Sequence, residues 1–428
     1  MNSQSKYFMR CIQCHKMLTP QNEEITKCPK CGGHLTIEMN LEFLNESTSK
    51  REFYNKQISS MWSFIQFLPL LDNENIISLK EGNTPILKSE RLAEEFKIKN
   101  LYLKLDFLNP TGSFKDRQIS IGISKAKELN KSSVITMSSG NVGASVAAYS
   151  ARSGMKNIIM IPSIAPESKI LQIKHYGGNV VKIESDSTEF ISQIVQQASQ
   201  EFNMGNLITA AIYNPFITNG AKTISYEIAY QSQFEGTSFP EVVIVPVGGA
   251  GLLSGVYEGF RELKGLDIIE MVPKIIGVQP EGCAPFVRAI QNDLSPDYLF
   301  KNPWKNIDTI STALADDIPL DCHTGITAVK KSKGTAVSVS DKATLLASKK
   351  LSRYEGIFAE PSSCTTVAAI DKLLEDGIIQ RDQNIYCVIT GVGFKDIKSI
   401  RPIIPESIEV EKGFDWRKTF KKILNLNK

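Results

Sequence analysis

The chain has 428 residues, of which 42% are apolar and 22% charged, with a formal net charge of +3. This composition suits a soluble protein with a large core, and no basic block interleaved with aromatics points to nucleic acid as a partner. The longest uncharged runs, 132–151 and 202–221, are broken by Ser, Asn and Gly, so no membrane span is expected and the cytoplasm is the expected location.

Residues 1–40 read as a small module of their own. Cys11-x2-Cys14 and Cys28-x2-Cys31 form two knuckles separated by 13 residues, the second followed by Gly32 and Gly33. Each knuckle turns two sulfurs toward one point, as a tetrahedral thiolate zinc site requires. The expectation is a structural zinc ribbon held by Cys11, Cys14, Cys28 and Cys31, with a disulfide-bonded or metal-free ribbon as the alternatives. Four thiolates close the shell, so His15 and His34 are read as surface residues. The other cysteines, Cys283, Cys322, Cys364 and Cys387, are scattered singly and read as small buried apolar residues. Residues 41–110 form an arm and the start of a large domain. The apolar cluster at 61–68 reads as a packing arm that joins the ribbon to the body, or as a subunit contact.

From residue 101 onward strand-like and helix-like stretches alternate. Short apolar runs at 133–137, 157–161, 179–183, 242–247, 274–278 and 384–389 read as buried strands. Helical patterns at 142–153, 169–176 and 219–234 lie between them, and the basic tail 415–428 reads as a terminal helix. Such alternation predicts an α/β body of parallel sheets covered by helices on both faces. The expected division is a smaller α/β domain over 111–215 and a large cofactor-binding domain over 216–428. Ligands of such sheets bind where strands end and helices begin.

Four stretches carry the chemistry. Asn109, Pro110, Thr111 and Gly112 form a turn that runs into a helical pattern, placing Lys115 on a first helical turn. Burial and a positive helix end both disfavour the ammonium form, which would make that amine a nucleophile. The plain alternative is a solvated lysine beside Asp116 and Arg117. Ser138, Ser139, Gly140 and Asn141 put hydroxyls and an amide at a helix start, for capping or for ligand contact. Gly248, Gly249, Ala250, Gly251 and Leu252 form a glycine turn between strand and helix, where backbone amides can close around a phosphate. Thr390 supplies a hydroxyl in a fourth bend after an apolar strand.

Together these stretches resemble the pyridoxal-phosphate enzymes of fold type II, and within them the threonine synthases, over most of the chain. The resemblance implies two parallel-sheet domains with an N-terminal zinc-ribbon-like module, pyridoxal 5'-phosphate as cofactor, a small amino-acid substrate and a homodimer. It implies that Lys115 bonds the cofactor aldehyde and later serves as base, and that Asn141 bonds the ring hydroxyl. Gly248 to Leu252 would cradle the phosphate, and Thr390 would face the pyridine nitrogen. The implied reaction converts O-phosphohomoserine and water to threonine and phosphate. The alternatives are a deaminating serine or threonine dehydratase, another β- or γ-elimination or replacement, and a non-catalytic relative. The threonine synthase pattern would place an arginine at Ile217, a glutamate at Asn219, a threonine at Val142 and a histidine at Val392. Lys222 is expected to offer the missing positive charge to a substrate phosphate, as a point charge.

Overall fold

The computed structural model describes residues 5–20, 26–138, 140–163, 167–185, 188–234 and 237–424. Thirteen strands among them build three sheets. β1 (Tyr7–Cys11), β2 (Met17–Leu18) and β3 (Leu35–Met39) make an antiparallel ribbon in the order β2-β1-β3. β4 (Ile86–Lys88) and β5 (Asn100–Lys104) open the body. β6 (Ser133–Met137), β7 (Lys156–Pro162), β8 (Val180–Ile183) and β9 (Gly205–Asn206) form a parallel sheet in the order β8-β7-β6-β9. β10 (Val242–Pro246), β11 (Lys274–Pro280), β12 (Thr335–Val339) and β13 (Asn384–Val388) join β4 and β5 in a six-stranded sheet, order β12-β11-β10-β13-β5-β4. Only its edge pair β4–β5 is antiparallel. Every residue of Val242–Pro246 is buried, which is why this central strand is an unbroken apolar run and not an alternating one.

The helices obey local chemistry. Asn141–Ser153 is built of small residues that let it lie close on β6 and β7, and it stops at Gly154, whose φ of +75° is free for a residue without Cβ. Lys115–Glu128 follows the turn at Gly112, where φ is +86° and a Cβ would come within 2.7 Å of Val392. Trp416–Ile423 is helical, as expected for the tail, and residues 425–428 lie outside the described set. No described helix is long and apolar enough to cross a membrane.

The apolar segment Met61–Phe67 sits between ribbon and body. Phe64 and Phe67 lie 5.4 and 5.0 Å from the Tyr226 ring, and Trp62 Nε1 donates to Glu81 and Ser120. Lys6 of the ribbon donates to the carbonyls of Ile65 and Leu70 at 2.9 and 2.6 Å. Beneath this lies a buried ion network. Arg117 bonds both carboxylate oxygens of Asp106 and of Glu227, and Lys104 donates to Glu227 at 2.8 Å and to Gln231 at 2.9 Å. Asp116 and Arg117 are fully buried, so the solvated surroundings considered for Lys115 are not what the fold provides.

Candidate active site

In the ribbon, the four sulfurs of Cys11, Cys14, Cys28 and Cys31 lie within 4.8 Å of one another. Two of the pairs, Cys11–Cys31 and Cys14–Cys28, are 3.5 and 3.6 Å apart. A tetrahedral zinc with bonds of about 2.3 Å needs sulfurs about 3.8 Å apart, so the cluster fits that ion and closes its shell without a water position. If these four thiols are the ligands, Cys28→Ser should abolish a one-to-one zinc content by elemental analysis and lower the thermal midpoint; unchanged zinc in the variant would overturn the assignment. His15 is exposed as expected, and His34 is only partly exposed. It is half-buried against the body beside Ala211, Ile212, Asp321 and His323, and burial lowers its pKa. The ribbon therefore touches a wall of the main cleft.

That cleft, ≈ 1310 Å³, opens between the two parallel sheets. Lys115, Asn141, Gly248, Gly249, Ala250, Gly251, Leu252 and Thr390, distant in sequence, all line it. Backbone pairing brings the Lys115 turn to the Thr390 bend: Phe114 N–H donates to Thr390 O at 2.9 Å and Val392 N–H to Gly112 O at 3.0 Å. Lys115 Nζ bonds Gln118 Oε1 and Thr209 Oγ1, each at 3.0 Å. Burial lowers its pKa to about 8, against the opposing charges of Asp316 and Asp321. Thr390 Oγ1 lies 2.9 Å from Ser363 Oγ, which also accepts from Gly391 N–H at 2.7 Å. Asn141 Nδ2 reaches both oxygens of Glu360 at 3.3 Å. Of the serine loop before it, Ser138 lines the cleft and Ser139 lies outside the described residues. Among the described residues no side chain caps this helix at Gly140, and Asn141 lines the cleft.

The glycine turn leads into the helix Gly251–Gly265, whose first-turn N–H groups have no acceptor within the helix and whose first residues, Gly251 and Leu252, line the cleft. Ala250 stands at φ +71°, and the turn has no bulk at Gly248 or Gly249. Sequence reasoning missed its neighbours. Asp316 Oδ2 lies 2.7 Å from where a Gly248 Cβ would sit, and Asp321 Oδ2 lies 2.5 Å from the same point at Gly251. Burial raises the Asp316 carboxyl to about 6 and the Asp321 carboxyl to about 7. An Asp-Asp-Ile-Pro stretch reads as an ordinary turn, and nothing in its pattern ties it to a glycine loop 68 positions earlier. Taken together, an amine of lowered pKa, an amide-rich turn at a helix start, an asparagine amide and a buried hydroxyl fit pyridoxal phosphate.

Neither the two positions where the threonine synthase pattern has an arginine and a glutamate, nor Lys222, reaches the cleft. Ile217 is fully buried in the core of the smaller sheet's layer, against Gly122. Asn219 is buried and spends its Nδ2 on the carbonyls of Pro215 and Phe216. Lys222 is not available to a substrate phosphate, because it is buried in an ion pair with Glu262 at 2.6 Å. Val142 and Val392 do line the cleft.

The family model for pyridoxal-phosphate dependent enzymes matches residues 77–391. A threonine synthase of Methanocaldococcus jannaschii is 37% identical, over 94% of this chain and 96% of its own. One from Methanosarcina acetivorans is 34% identical, over 96% and 97%. Among solved structures, maize serine racemase superposes with a TM-score of 0.62 at 22% identity, over 81% of this chain and 94% of its own, a likeness of fold.

Proposed function

The chain belongs to the pyridoxal-phosphate dependent enzymes, and from that premise we infer that it converts O-phosphohomoserine and water to threonine and phosphate. The observation that carries the reaction is the identity to threonine synthases along nearly the full length of both chains. The racemase likeness bears on fold alone.

Pyridoxal phosphate, when bound, supplies an electron sink for carbanion charge at the substrate α-carbon. In this proposal Gly248 to Leu252 hold its phosphate, Asn141 its ring hydroxyl, Thr390 its ring nitrogen, and Lys115 its aldehyde. A threonine hydroxyl, unlike a carboxylate, does not keep that nitrogen protonated. Lys115, once released by the incoming amino acid, is a base with a pKa near 8, able to take and return a proton at pH 7 to 9. Thr209 and Gln118 accept hydrogen bonds from its ammonium form and so orient it. Glu360 holds the Asn141 amide in place. We further propose a cytoplasmic homodimer, supported by family resemblance; light scattering reports its mass.

The test is a parallel assay of phosphate, ammonia and oxo-acid release from O-phosphohomoserine, serine and threonine. Stoichiometric phosphate and threonine from the first substrate are expected. Oxo-acid from serine or threonine as the dominant activity would replace this reading with dehydration.

A further inference from the structure

A substrate that carries its own phosphate brings a charge near −2 into the cleft, beyond the cofactor's phosphate, and needs a cation to receive it. Ile217, Asn219 and Lys222 do not provide one. Among the described residues lining the cleft, the basic side chains are Lys115 and Lys395. Lys115 is committed to the α-carbon chemistry. Lys395 follows β13 on the large sheet's side and reaches across to the helix Glu167–His175, donating to Gln172 Oε1 at 2.9 Å. Gln172 is itself held by Thr111, whose carbonyl accepts from Nε2 at 3.1 Å.

This leaves two of the three ammonium donors for a ligand. The nearby carboxylates do not consume them. Asp116 accepts from Thr111 N–H at 2.6 Å, Thr111 Oγ1 at 2.7 Å and Ser145 Oγ at 2.5 Å. Glu360 faces Asn141, and Lys395 forms no ion pair among the described residues. Burial lowers the Lys395 pKa, while Glu360 and then Asp116 act in the other direction. A half-buried ammonium with one neutral partner gains more from an incoming dianion than a paired surface lysine does.

Resting on the reaction inferred above, we propose that Lys395, steadied by Gln172, binds the phosphate of the substrate. The site takes a phosphomonoester dianion, and Lys395 is a substrate-binding residue and not a base.

The experiment compares wild type, Lys395→Met and Lys395→Arg, each loaded with cofactor. Loss of a charge-assisted contact should raise KM for O-phosphohomoserine by about 10- to 100-fold with a smaller change in kcat. The Ki of inorganic phosphate as a competitive inhibitor should rise in parallel, and the arginine variant should recover part of both. The visible spectrum of bound cofactor should not change. KM and phosphate Ki both within about twofold of wild type in the methionine variant would overturn the proposal, even while wild type releases phosphate and threonine. If wild type itself released no phosphate, the inferred reaction would fall. Calorimetric binding of inorganic phosphate to wild type and variant would then still decide the anion site: lost binding supports it and equal binding refutes it.

Discussion

A Lys115→Ala variant should lose turnover by roughly a thousandfold or more, should no longer bond pyridoxal phosphate covalently, and should keep its fold. The side chain has a pKa lowered to about 8 and opens into the cleft, and it is not part of the hydrophobic core. Its removal leaves the buried pairs around Arg117 untouched. Uptake of pyridoxal phosphate by cofactor-free wild type should follow the neutral amine. The folded pKa is lowered to about 8 from an ordinary 10.5, so the neutral fraction climbs as pH rises through 8 and is already nearly complete by pH 10. The uptake rate at fixed cofactor concentration should show that inflection. A stopped-flow absorbance series from pH 6 to 10, with thermal unfolding of the variant as a control, checks both parts. Retained turnover in the alanine variant, or an inflection near the ordinary lysine value, would remove Lys115 from its role.

Much of this site was readable because its parts are local. Gly-Gly-Ala-Gly after a buried strand and Lys115 after a Pro-Thr-Gly turn each carry a signal within a few residues, and parallel-sheet physics sends strand ends to one edge. The apolar runs that became β6, β10 and β13 were equally plain, since strands buried on both faces need no long-range information to be recognised. What stayed hidden depends on partners far along the chain. Asp116 and Arg117 look like solvated neighbours of Lys115 until Asp106, Glu227 and Ser145 arrive around them. Lys222 has the charge to hold a phosphate, but Glu262, on the next helix, takes it. Asp316, Asp321 and Lys395 share the same feature. Each is an ordinary polar residue whose importance comes from the glycine turn or the cleft it lies beside, and no spacing rule encodes that.

Arg117 carries the second large effect, and it is one of stability. Its guanidinium makes paired contacts with Asp106 and Glu227 and also bonds Thr84 and Thr223, all in a dry interior. Such a network adds little net stability when whole, but removing one member strands the opposite charges away from water. Arg117→Met leaves two buried carboxylates facing Lys104 alone and should cost about 3–5 kcal/mol. Burial by itself would raise the Glu227 pKa; Arg117 and then Lys104 outweigh it and bring the group down to about 2. A depressed carboxylate contributes stability that is present above its unfolded pKa and is lost as pH falls toward the folded one. Wild-type stability should therefore decline between pH 4.5 and 2, and the decline should be shallower in Arg117→Met, where Glu227 titrates nearer its ordinary value. Urea midpoints from pH 7 down to pH 3 measure both effects. Adding Glu227→Gln to the variant should return part of the loss, since it removes one of the stranded charges; a double variant as unstable as the sum of the two singles would mean the residues do not act as a network. Arg117 lies two positions from Lys115 on the same helix, so the network also sets where the Lys115 amine emerges. Milder replacements that keep the fold should then slow turnover before they unfold the protein.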